Sequence, residues 1–159
     1  MKKMMIIYGI LAMALISCFN DSGLDIILDK TYIEIDEATT VSGLAVTKIY
    51  TRTLDGVGIK DSLRVNLVGP QRDAAVNVTF SIDAASTAVE GTHYTLTTTG
   101  GTVTIPPNSS YGYIKFLVLD DNIAPSTTTK DLKVSLTSGG EGIIVSANYA
   151  TFTRRIRTK

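Results

Sequence analysis

Few side chains of this sequence could do chemistry, because the 159-residue chain contains one cysteine, one histidine and no tryptophan. A single thiol cannot form an intramolecular disulfide or a thiolate zinc cluster, and no Cys/His dyad or phosphate-binding loop accompanies it. The 15 acidic residues match the 15 basic ones, so the excess of Lys and Arg that is typical of nucleic-acid-binding proteins is missing. The remaining candidates are Cys18, His93 and the acidic pair Asp120 and Asp121. We therefore predict neither an enzyme nor a nucleic-acid-binding protein.

Cys18 ends an N-terminal segment with the pattern of an export signal. A basic start precedes an apolar run from Met4 to Ile16, which is shorter than the roughly 20 residues that a membrane-spanning helix needs. Residues Leu15 to Cys18 resemble the bacterial lipobox, in which aliphatic and small residues precede the cysteine that is acylated before cleavage. We predict a lipoprotein signal peptide over residues 1–17 and lipidation of Cys18. The alternative is an ordinary signal peptide with a chance cysteine near its end.

Acyl chains on Cys18 would hold the mature protein at a membrane, because each buried methylene contributes about 0.8 kcal/mol. Loss of Lys2 and Lys3 with the signal peptide leaves 13 basic residues against 15 acidic ones, a formal charge of −2. Residue 19 is Phe rather than the Asp that often retains lipoproteins at the inner membrane. We therefore expect an outer-membrane protein, on the periplasmic or the cell-surface side, with residues 18–30 as a lipidated tether.

The rest of the chain alternates apolar and polar residues, with no sustained helical periodicity. The alternating runs end at turn residues, which predicts short antiparallel strands with one wet face. We predict strands at Tyr32–Ile35, Leu44–Tyr50, Leu63–Val68, Val76–Ile82, Thr102–Ile105, Tyr113–Leu119 and Leu132–Leu136, and a final long β segment at Ile143–Ile156. About seven to eight strands predict a single all-β sandwich or barrel over residues 31–159.

Three central segments carry a family resemblance. They are the turn Ser86–Tyr94, the strand Gly101–Pro107 and the alternating strand Ile114–Leu119, which ends at Asp120 and Asp121. Together they resemble the Calx-beta domain, over roughly residues 31 to 156. The resemblance implies an antiparallel immunoglobulin-like β-sandwich. It also implies similarity to lipoproteins of Gram-negative bacteria that use glycans or peptides.

Calx-beta domains bind Ca²⁺ at one end of the sandwich, so the resemblance implies candidate ligands. The pair Asp120–Asp121 matches a ligand pair of the family, and Glu37 could match an early ligand. His93 replaces an aspartate of the family, and a neutral imidazole is a poor ligand for a hard cation. Ca²⁺ needs about six to eight oxygen ligands, whereas Arg154, Arg155, Ile156 and Arg157 stand where the family has a further acidic cluster. We predict no tight metal site and no cofactor, with the pair and Glu37 as weak candidates.

Other polar features have plainer interpretations. His93 has no partner motif for catalysis, so we predict that it stabilises a turn or packs. We interpret Asp120–Asp121 as a strand-end turn. Exposed tyrosines could stack sugar rings in a chain without tryptophan, but we predict that Tyr111 or Tyr113 packs at the core edge and that the other covers it. We interpret the basic end as a solvated terminus, comprising Arg154, Arg155, Arg157 and Lys159.

The resulting prediction is a non-catalytic envelope protein with a binding or structural accessory role. Its partners would be a membrane, through Cys18, and a TonB-dependent importer of glycans or peptides. The importer follows from the family resemblance alone, because a fold does not define a function. Two other hypotheses are a Ca²⁺-binding adhesion module and a hydrolase with an unrecognised site.

Overall fold

The described part of the chain consists almost entirely of short strands. The computed structural model describes residues 30–40, 46–50, 58–119 and 128–158. The predicted signal peptide, Cys18, Asp120 and Asp121 lie outside these residues. In chain order the elements are β1 Thr31–Ile35, helix α1 Asp36–Thr40, β2 Val46–Tyr50, β3 Ile59–Val68, β4 Val76–Ile82, β5 Tyr94–Leu96, a 3-10 turn Thr99–Gly101, β6 Thr102–Ile105, β7 Tyr111–Val118, β8 Lys130–Ser138, β9 Ile143–Val145 and β10 Thr151–Thr158.

The strands form two sheets that pack face to face. Sheet 1 has the order β5-β7-β3-β1-β9, and sheet 2 has the order β2-β10-β8-β4-β6. Neighbouring strands are antiparallel, except that β9 joins β1 and β2 joins β10 in parallel. Within the described ranges, no helix has the length and apolar character that crossing a membrane requires. The all-β sandwich that the alternation predicts is therefore confirmed.

Alternation along each strand places one row of apolar side chains between the sheets. Full burial of such a side chain contributes about 1.5–3 kcal/mol, and a shift of one residue in register would turn the whole row towards solvent. The core therefore fixes which residues face outward. Its fully buried members include Ile33, Ile35, Leu63, Val65, Ile114 and Phe116 from sheet 1, and Val78, Ile105, Leu132, Val134 and Ile156 from sheet 2.

The segment predicted as one long β segment, Ile143–Ile156, is two strands in different sheets. The chain crosses from β9 to β10 at a turn that is tied to both. The carbonyl of Tyr149 accepts a hydrogen bond from the backbone of Ile35 in sheet 1 (2.9 Å). The carbonyl of Ala150 accepts one from Leu136 in sheet 2 (2.8 Å). Alternation did not reveal this crossing, because a local pattern shows which face of a strand is apolar and not which sheet the strand joins.

Strand β3 begins at Ile59 rather than at Leu63, where the clear alternation begins. The earlier boundary escapes pattern reading because position 61, which faces the interior, is an aspartate. An acidic residue at a core-facing position must find charged or hydrogen-bonding partners there. The N-terminal part of β3 is therefore the place where the sandwich departs from a purely apolar core.

Gly112 brings the two sheets close together near the start of β7. A Cβ atom at this position would lie 2.9 Å from the carbonyl oxygen of Thr104 in β6. A larger residue would therefore force the sheets apart. Its neighbours Tyr111 and Tyr113 point to the opposite, outer face of sheet 1.

Candidate functional site

Charged side chains from both sheets meet around Arg154 of β10. Its Nε lies 3.4 Å from Asp61 Oδ2, and its Nη2 lies 3.3 Å from Glu37 Oε1. Lys48 Nζ lies 2.6 Å from Asp61 Oδ1. The hydroxyl of Tyr50 donates a hydrogen bond to Asp61 Oδ2. These five residues are called the Arg154 cluster.

The centre of the Arg154 cluster is buried, whereas the side chain of Lys48 at its rim is 46% exposed. The side chains of Arg154 and Asp61 are 7% and 5% exposed. Burial acts to raise the pKa of Asp61, but hydrogen bonds from Lys48 and Tyr50 and the charge of Arg154 lower that pKa overall. Burial raises the pKa of Glu37, and burial and the contact with Asp61 raise the pKa of Tyr50. Asp61 is therefore a buried anion that its neighbours neutralise, and Tyr50 remains a neutral donor.

Glu37, the weak metal-ligand candidate that the structure describes, contacts a guanidinium. Within the described ranges, no three His, Cys, Asp or Glu side chains converge into a group that could hold a metal ion. The other two candidates, Asp120 and Asp121, lie outside the described residues. The positive charge that faces both Glu37 and Asp61 is thus the guanidinium of Arg154.

The interpretation of the basic segment as a solvated terminus is wrong for Arg154. Strand β10 lies inside sheet 2, between β2 and β8, and its alternation points Phe152, Arg154 and Ile156 into the sandwich. The guanidinium of Arg154 lies 5.4 Å from the ring centre of Phe152. The next residue, Arg155, faces outward and donates to both carboxylate oxygens of Asp131 (2.7 and 2.9 Å).

His93 stabilises a turn, as predicted. Its ring Nδ1 accepts a hydrogen bond from the backbone N–H of Val89 (2.9 Å), and the backbone N–H of His93 donates one to the Val89 carbonyl (2.8 Å). The residue is 7% exposed, and burial, with a smaller effect from Lys130, lowers the pKa of His93. The neutral ring is the form that can accept this bond. His93 thus supplies an acceptor of the kind that an aspartate supplies in many turns.

The outer face of sheet 1 carries an open groove of about 600 Å³. This groove is called the tyrosine groove and is lined by Lys60, Asp61, Ser62, Thr97, Tyr113, Lys115, Phe116 and Leu117. The antiparallel register of β3 and β7 places Ser62 opposite Lys115. The side chains of Lys60, Ser62, Tyr113 and Lys115 face outward, because alternation along each strand directs the residues on either side of them, Asp61 included, into the sandwich.

Both tyrosines of β7 are exposed, which corrects the prediction that one of them packs at the core edge. Tyr111 is 47% exposed and Tyr113 is 40% exposed. Their ring centres lie 5.7 Å apart at an angle of 72°, an edge-to-face contact. The guanidinium of Arg64 lies 5.8 Å from the ring centre of Tyr111 and is held by Asp36 at 2.8 Å. Both rings stay outside because Gly112 and Ile114 fill the core-facing positions of this strand.

Tyr113 and Lys115 also border a second groove, of about 380 Å³, on the other side of β7. Hydroxyl groups line it: Thr98, Thr102, Thr104, Ser109 and Tyr111. Two of these hydroxyls bond to the backbone of β7 where the short strand β5 no longer pairs with it. Thr98 Oγ1 accepts a hydrogen bond from the Lys115 N–H (2.8 Å), and Ser109 Oγ donates one to the Tyr111 carbonyl (3.2 Å). The side chain of Tyr113 therefore stands between two hydroxyl-rich grooves.

Sequence reasoning missed the two lysines of the tyrosine groove. Alternation alone would have put Lys115 on the same face as Tyr113. The proximity of Lys60 depends on the pairing of β3 with β7, which aligns Lys60 with Leu117 and Ser62 with Lys115. No short-range pattern in the sequence contains that register.

Comparison with known proteins identifies the fold. A scan of the sequence against protein-family models finds no match, and a search of curated proteins finds none either. Among solved structures, the apo-form CBD1 domain of Calx is similar, with a TM-score of 0.56 and 17% sequence identity. The similarity covers 82% of this chain and 98% of that domain.

Two structures from Bacteroides species contain a similar unit. A "putative carbohydrate binding protein" of Bacteroides ovatus has a TM-score of 0.53 and 8% identity, over 79% of this chain and 36% of that one. EndoBT-3987 of Bacteroides thetaiotamicron, with its Man5GlcNAc product, has a TM-score of 0.53 and 13% identity, over 80% of this chain and 31% of that one. This protein thus has the Calx-beta-like β-sandwich fold that its central segments indicated.

Proposed function

We propose that this protein is a non-catalytic binding module of the cell envelope and that it binds its ligand on the outer face of sheet 1. The observation that carries this proposal is the exposure of Tyr111 and Tyr113 beside open grooves. Large aromatic side chains give binding surfaces much of their contact area, and contiguous exposed apolar surface marks interaction sites. A sandwich of this fold forms part of the two longer Bacteroides chains, one of which is described as a "putative carbohydrate binding protein".

The Arg154 cluster supports binding rather than hydrolysis. Its two carboxylates have pKa values shifted in opposite directions, raised for Glu37 and lowered for Asp61. Such a pair is often an acid and a base in an active site. Here the guanidinium of Arg154 lies against both carboxylates, and the side chain of Asp61 is 5% exposed. A substrate would have to displace Arg154, Lys48 or Tyr50 to reach Asp61, so we assign the cluster a structural role.

The same contacts argue against a Ca²⁺-dependent adhesion module. A divalent ion needs several carboxylate or carbonyl oxygens around one point. Arg154 and Lys48 already compensate the described carboxylates that come closest to this arrangement. We therefore rank the calcium hypothesis below the binding module.

The proposed location is the outer membrane, with acyl chains on Cys18 as the anchor. The support is the lipobox pattern of residues 15–18 and the absence of an Asp at position 19. We further propose that the module works beside a TonB-dependent importer and presents ligand to it. That arrangement would give a small binding domain without catalytic residues a role in nutrient uptake.

Metabolic labelling with a clickable fatty acid tests the anchor. Wild-type protein expressed in a Gram-negative host should incorporate the label and partition with outer membranes, and Cys18→Ala should do neither. A matched control is the double variant Cys18→Ala/Ser22→Cys, which restores a thiol four residues downstream, outside the lipobox. Label on that double variant, or none on the wild type, would overturn the proposed anchor.

Purification of the lipidated full chain in mild detergent tests the importer association. We expect an outer-membrane transporter to co-purify in the native host and to be absent when Cys18→Ala is used as bait. Repeated recovery of the wild-type chain alone, at high yield, would refute the association. It would leave the binding module itself intact, because ligand binding is measured separately.

A further inference from the structure

The two lysines of the tyrosine groove lie close together without a compensating acid. Lys60 is aligned with Leu117, and Lys115 is aligned with Ser62, so the lysines are diagonal neighbours on the same face. Diagonal neighbours on paired strands lie about 7–8 Å apart. Neither lysine forms an ion pair with a residue of the described ranges, whereas Lys48 and Lys133 do. An anion between the two ammonium groups would relieve their mutual repulsion.

Asp61, the acid among the residues that line the groove, cannot serve as that anion. Asp61 lies between Lys60 and Ser62 in β3, but alternation turns its side chain to the opposite face. There its carboxylate is bound by Lys48, Tyr50 and Arg154. The same strand thus buries its negative charge inside the sandwich and leaves its positive charge on the groove.

The groove also offers an aromatic face and hydroxyl groups. The ring of Tyr113 is 40% exposed and is braced edge-to-face by Tyr111, so it presents a surface of fixed orientation. A flat apolar ring of this kind suits the C–H face of a pyranose. Ser62 and Thr97 add hydroxyls that can exchange hydrogen bonds with sugar hydroxyls. A groove of about 600 Å³ falls within the usual size range of small-ligand sites.

We propose that the tyrosine groove binds an acidic saccharide, with a pyranose ring stacked on Tyr113 and its carboxylate or sulfate held between Lys60 and Lys115. The proposal rests on the role of the protein as a binding module and names the ligand class of that site. The lysines select for negative charge, and the tyrosine with the hydroxyls selects for a sugar ring. A neutral glycan would leave the two ammonium groups unpaired, and a plain anion would leave the ring uncovered.

Titration of the full chain in detergent with defined oligosaccharides tests the proposal. The probes are an oligogalacturonate, which carries carboxylates only, a κ-carrageenan oligosaccharide, which carries sulfates only, and a neutral malto-oligosaccharide of similar length. Tyrosine fluorescence can report binding, because the chain contains no tryptophan. We expect one or both acidic probes to bind about tenfold or more tightly than the neutral probe, since a hydrogen bond to a charged group contributes about 1.5–3 kcal/mol. The two acidic probes distinguish a carboxylate from a sulfate ligand.

Two sets of variants separate the contributions. Lys60→Gln/Lys115→Gln should weaken the binding of the acidic probe about tenfold or more and leave any weak binding of the neutral probe unchanged. The matched control is Lys130→Gln/Lys133→Gln, which removes the same charge from β8 of sheet 2 and should leave affinity unchanged. Tyr113→Ala should weaken the binding of every saccharide, whereas Tyr113→Phe, which keeps the ring, should retain most of the affinity. Circular dichroism checks that each variant is folded.

Three results would overturn the proposal. The first is equal affinity for neutral and acidic probes with no effect of the lysine substitutions. The second is tighter, lysine-dependent binding of a poly-glutamate peptide than of either acidic saccharide, which would identify an acidic peptide as the ligand. The third is lysine-dependent binding of the Cys18→Ala chain to phosphatidylglycerol vesicles without saccharide binding, which would identify a lipid surface. None of these results would affect the fatty-acid labelling or the transporter purification, so failure of the ligand class and failure of the envelope role are distinguishable.

Discussion

Lys60 and Asp61 are consecutive residues of β3, yet their side chains belong to two regions of opposite character. Asp61 enters the Arg154 cluster, where two cations and a tyrosine hydroxyl surround its carboxylate. Lys60 enters the tyrosine groove, where it forms no ion pair with a residue of the described ranges. One region has its charges satisfied internally, and the other has its charges free for a partner.

The difference shows how one strand can serve stability on one face and binding on the other. A buried charge without a partner is strongly destabilising, so the Arg154 cluster must be complete in the folded protein. An exposed lysine is hydrated and costs little when it is unpaired. Substitutions in the cluster should therefore lower the free energy of unfolding, whereas substitutions in the groove should change binding with little effect on folding.

The largest effect is expected for Arg154→Ala. This substitution leaves Asp61 and Glu37 without their shared cation, and the loss of one partner of a buried ion pair costs about 3–5 kcal/mol. Chemical denaturation followed by circular dichroism measures the change. The matched control is Arg155→Ala, which removes a more exposed arginine from the adjacent position and should cause a much smaller loss. Equal effects of the two substitutions would contradict the comparison, and Arg154→Lys gives a folded reference if Arg154→Ala does not fold.

A smaller effect is expected for Tyr50→Phe. The hydroxyl of Tyr50 donates to the buried carboxylate of Asp61, and loss of a hydrogen bond to a charged group costs about 1.5–3 kcal/mol. Tyr111→Phe removes a hydroxyl from the exposed face and should leave the free energy of unfolding unchanged. The Tyr50 contact would lose its proposed importance if both variants unfolded at the same denaturant concentration.

The pH dependence of stability should have two separate stages. The pKa of His93 is lowered in the folded state, so its contribution is complete above the unfolded value of about 6.5. That contribution is lost as the pH falls through the folded value, because protonation removes the acceptor for Val89. The pKa of Asp61 is also lowered, and its contribution is lost only below the unfolded value of about 3.9.

Denaturation midpoints between pH 3 and pH 8 measure both stages of this profile. His93→Asn keeps an acceptor atom near the position of Nδ1 but does not titrate, so it should abolish the upper stage and preserve the lower one. The stage amounts to about 1 kcal/mol, the usual net contribution of one hydrogen bond. An unchanged profile for His93→Asn would assign the upper stage to another group.

The smallest effect is expected for calcium. Calorimetric titration of the full chain in detergent should show no binding in the micromolar range, because Arg154 and Lys48 compensate the carboxylates of Asp61 and Glu37. The titration also tests Asp120 and Asp121, since it uses the whole chain. A micromolar dissociation constant would contradict the prediction and would favour the adhesion hypothesis.

Much of the fold was predictable because strand patterns are local. Alternation identified most of the strands, and the central segments identified the Calx-beta-like sandwich, which the solved structures confirm. The N-terminal part of β3 and the break between β9 and β10 were missed, because an inward-facing Asp61 and a crossing between sheets leave no alternation signal. The turn role of His93 was predictable, since a lone histidine among turn residues has few other uses.

The two regions of the site were much less predictable, for the same physical reason. The sequence pattern places Arg154 in a solvated basic end, and no motif of the sequence singles out Lys60 or Lys115. Charge and residue type are visible in a sequence, but their partners depend on strand register and on which strands pair. The exposure of Tyr111 and Tyr113 likewise depends on what fills the core beneath them.

Sequence patterns alone predict an all-β domain, a His93 that stabilises a turn or packs, and a lipid anchor on Cys18. Each of these follows from residues close together in the chain, whose spacing directly expresses the geometry of a strand, a turn or a signal. The compensation of Asp61 by Arg154 and the proximity of Lys60 to Lys115 became visible with the folded structure. Those residues are distant in the chain, and the packing of the core fixes the register that brings them together.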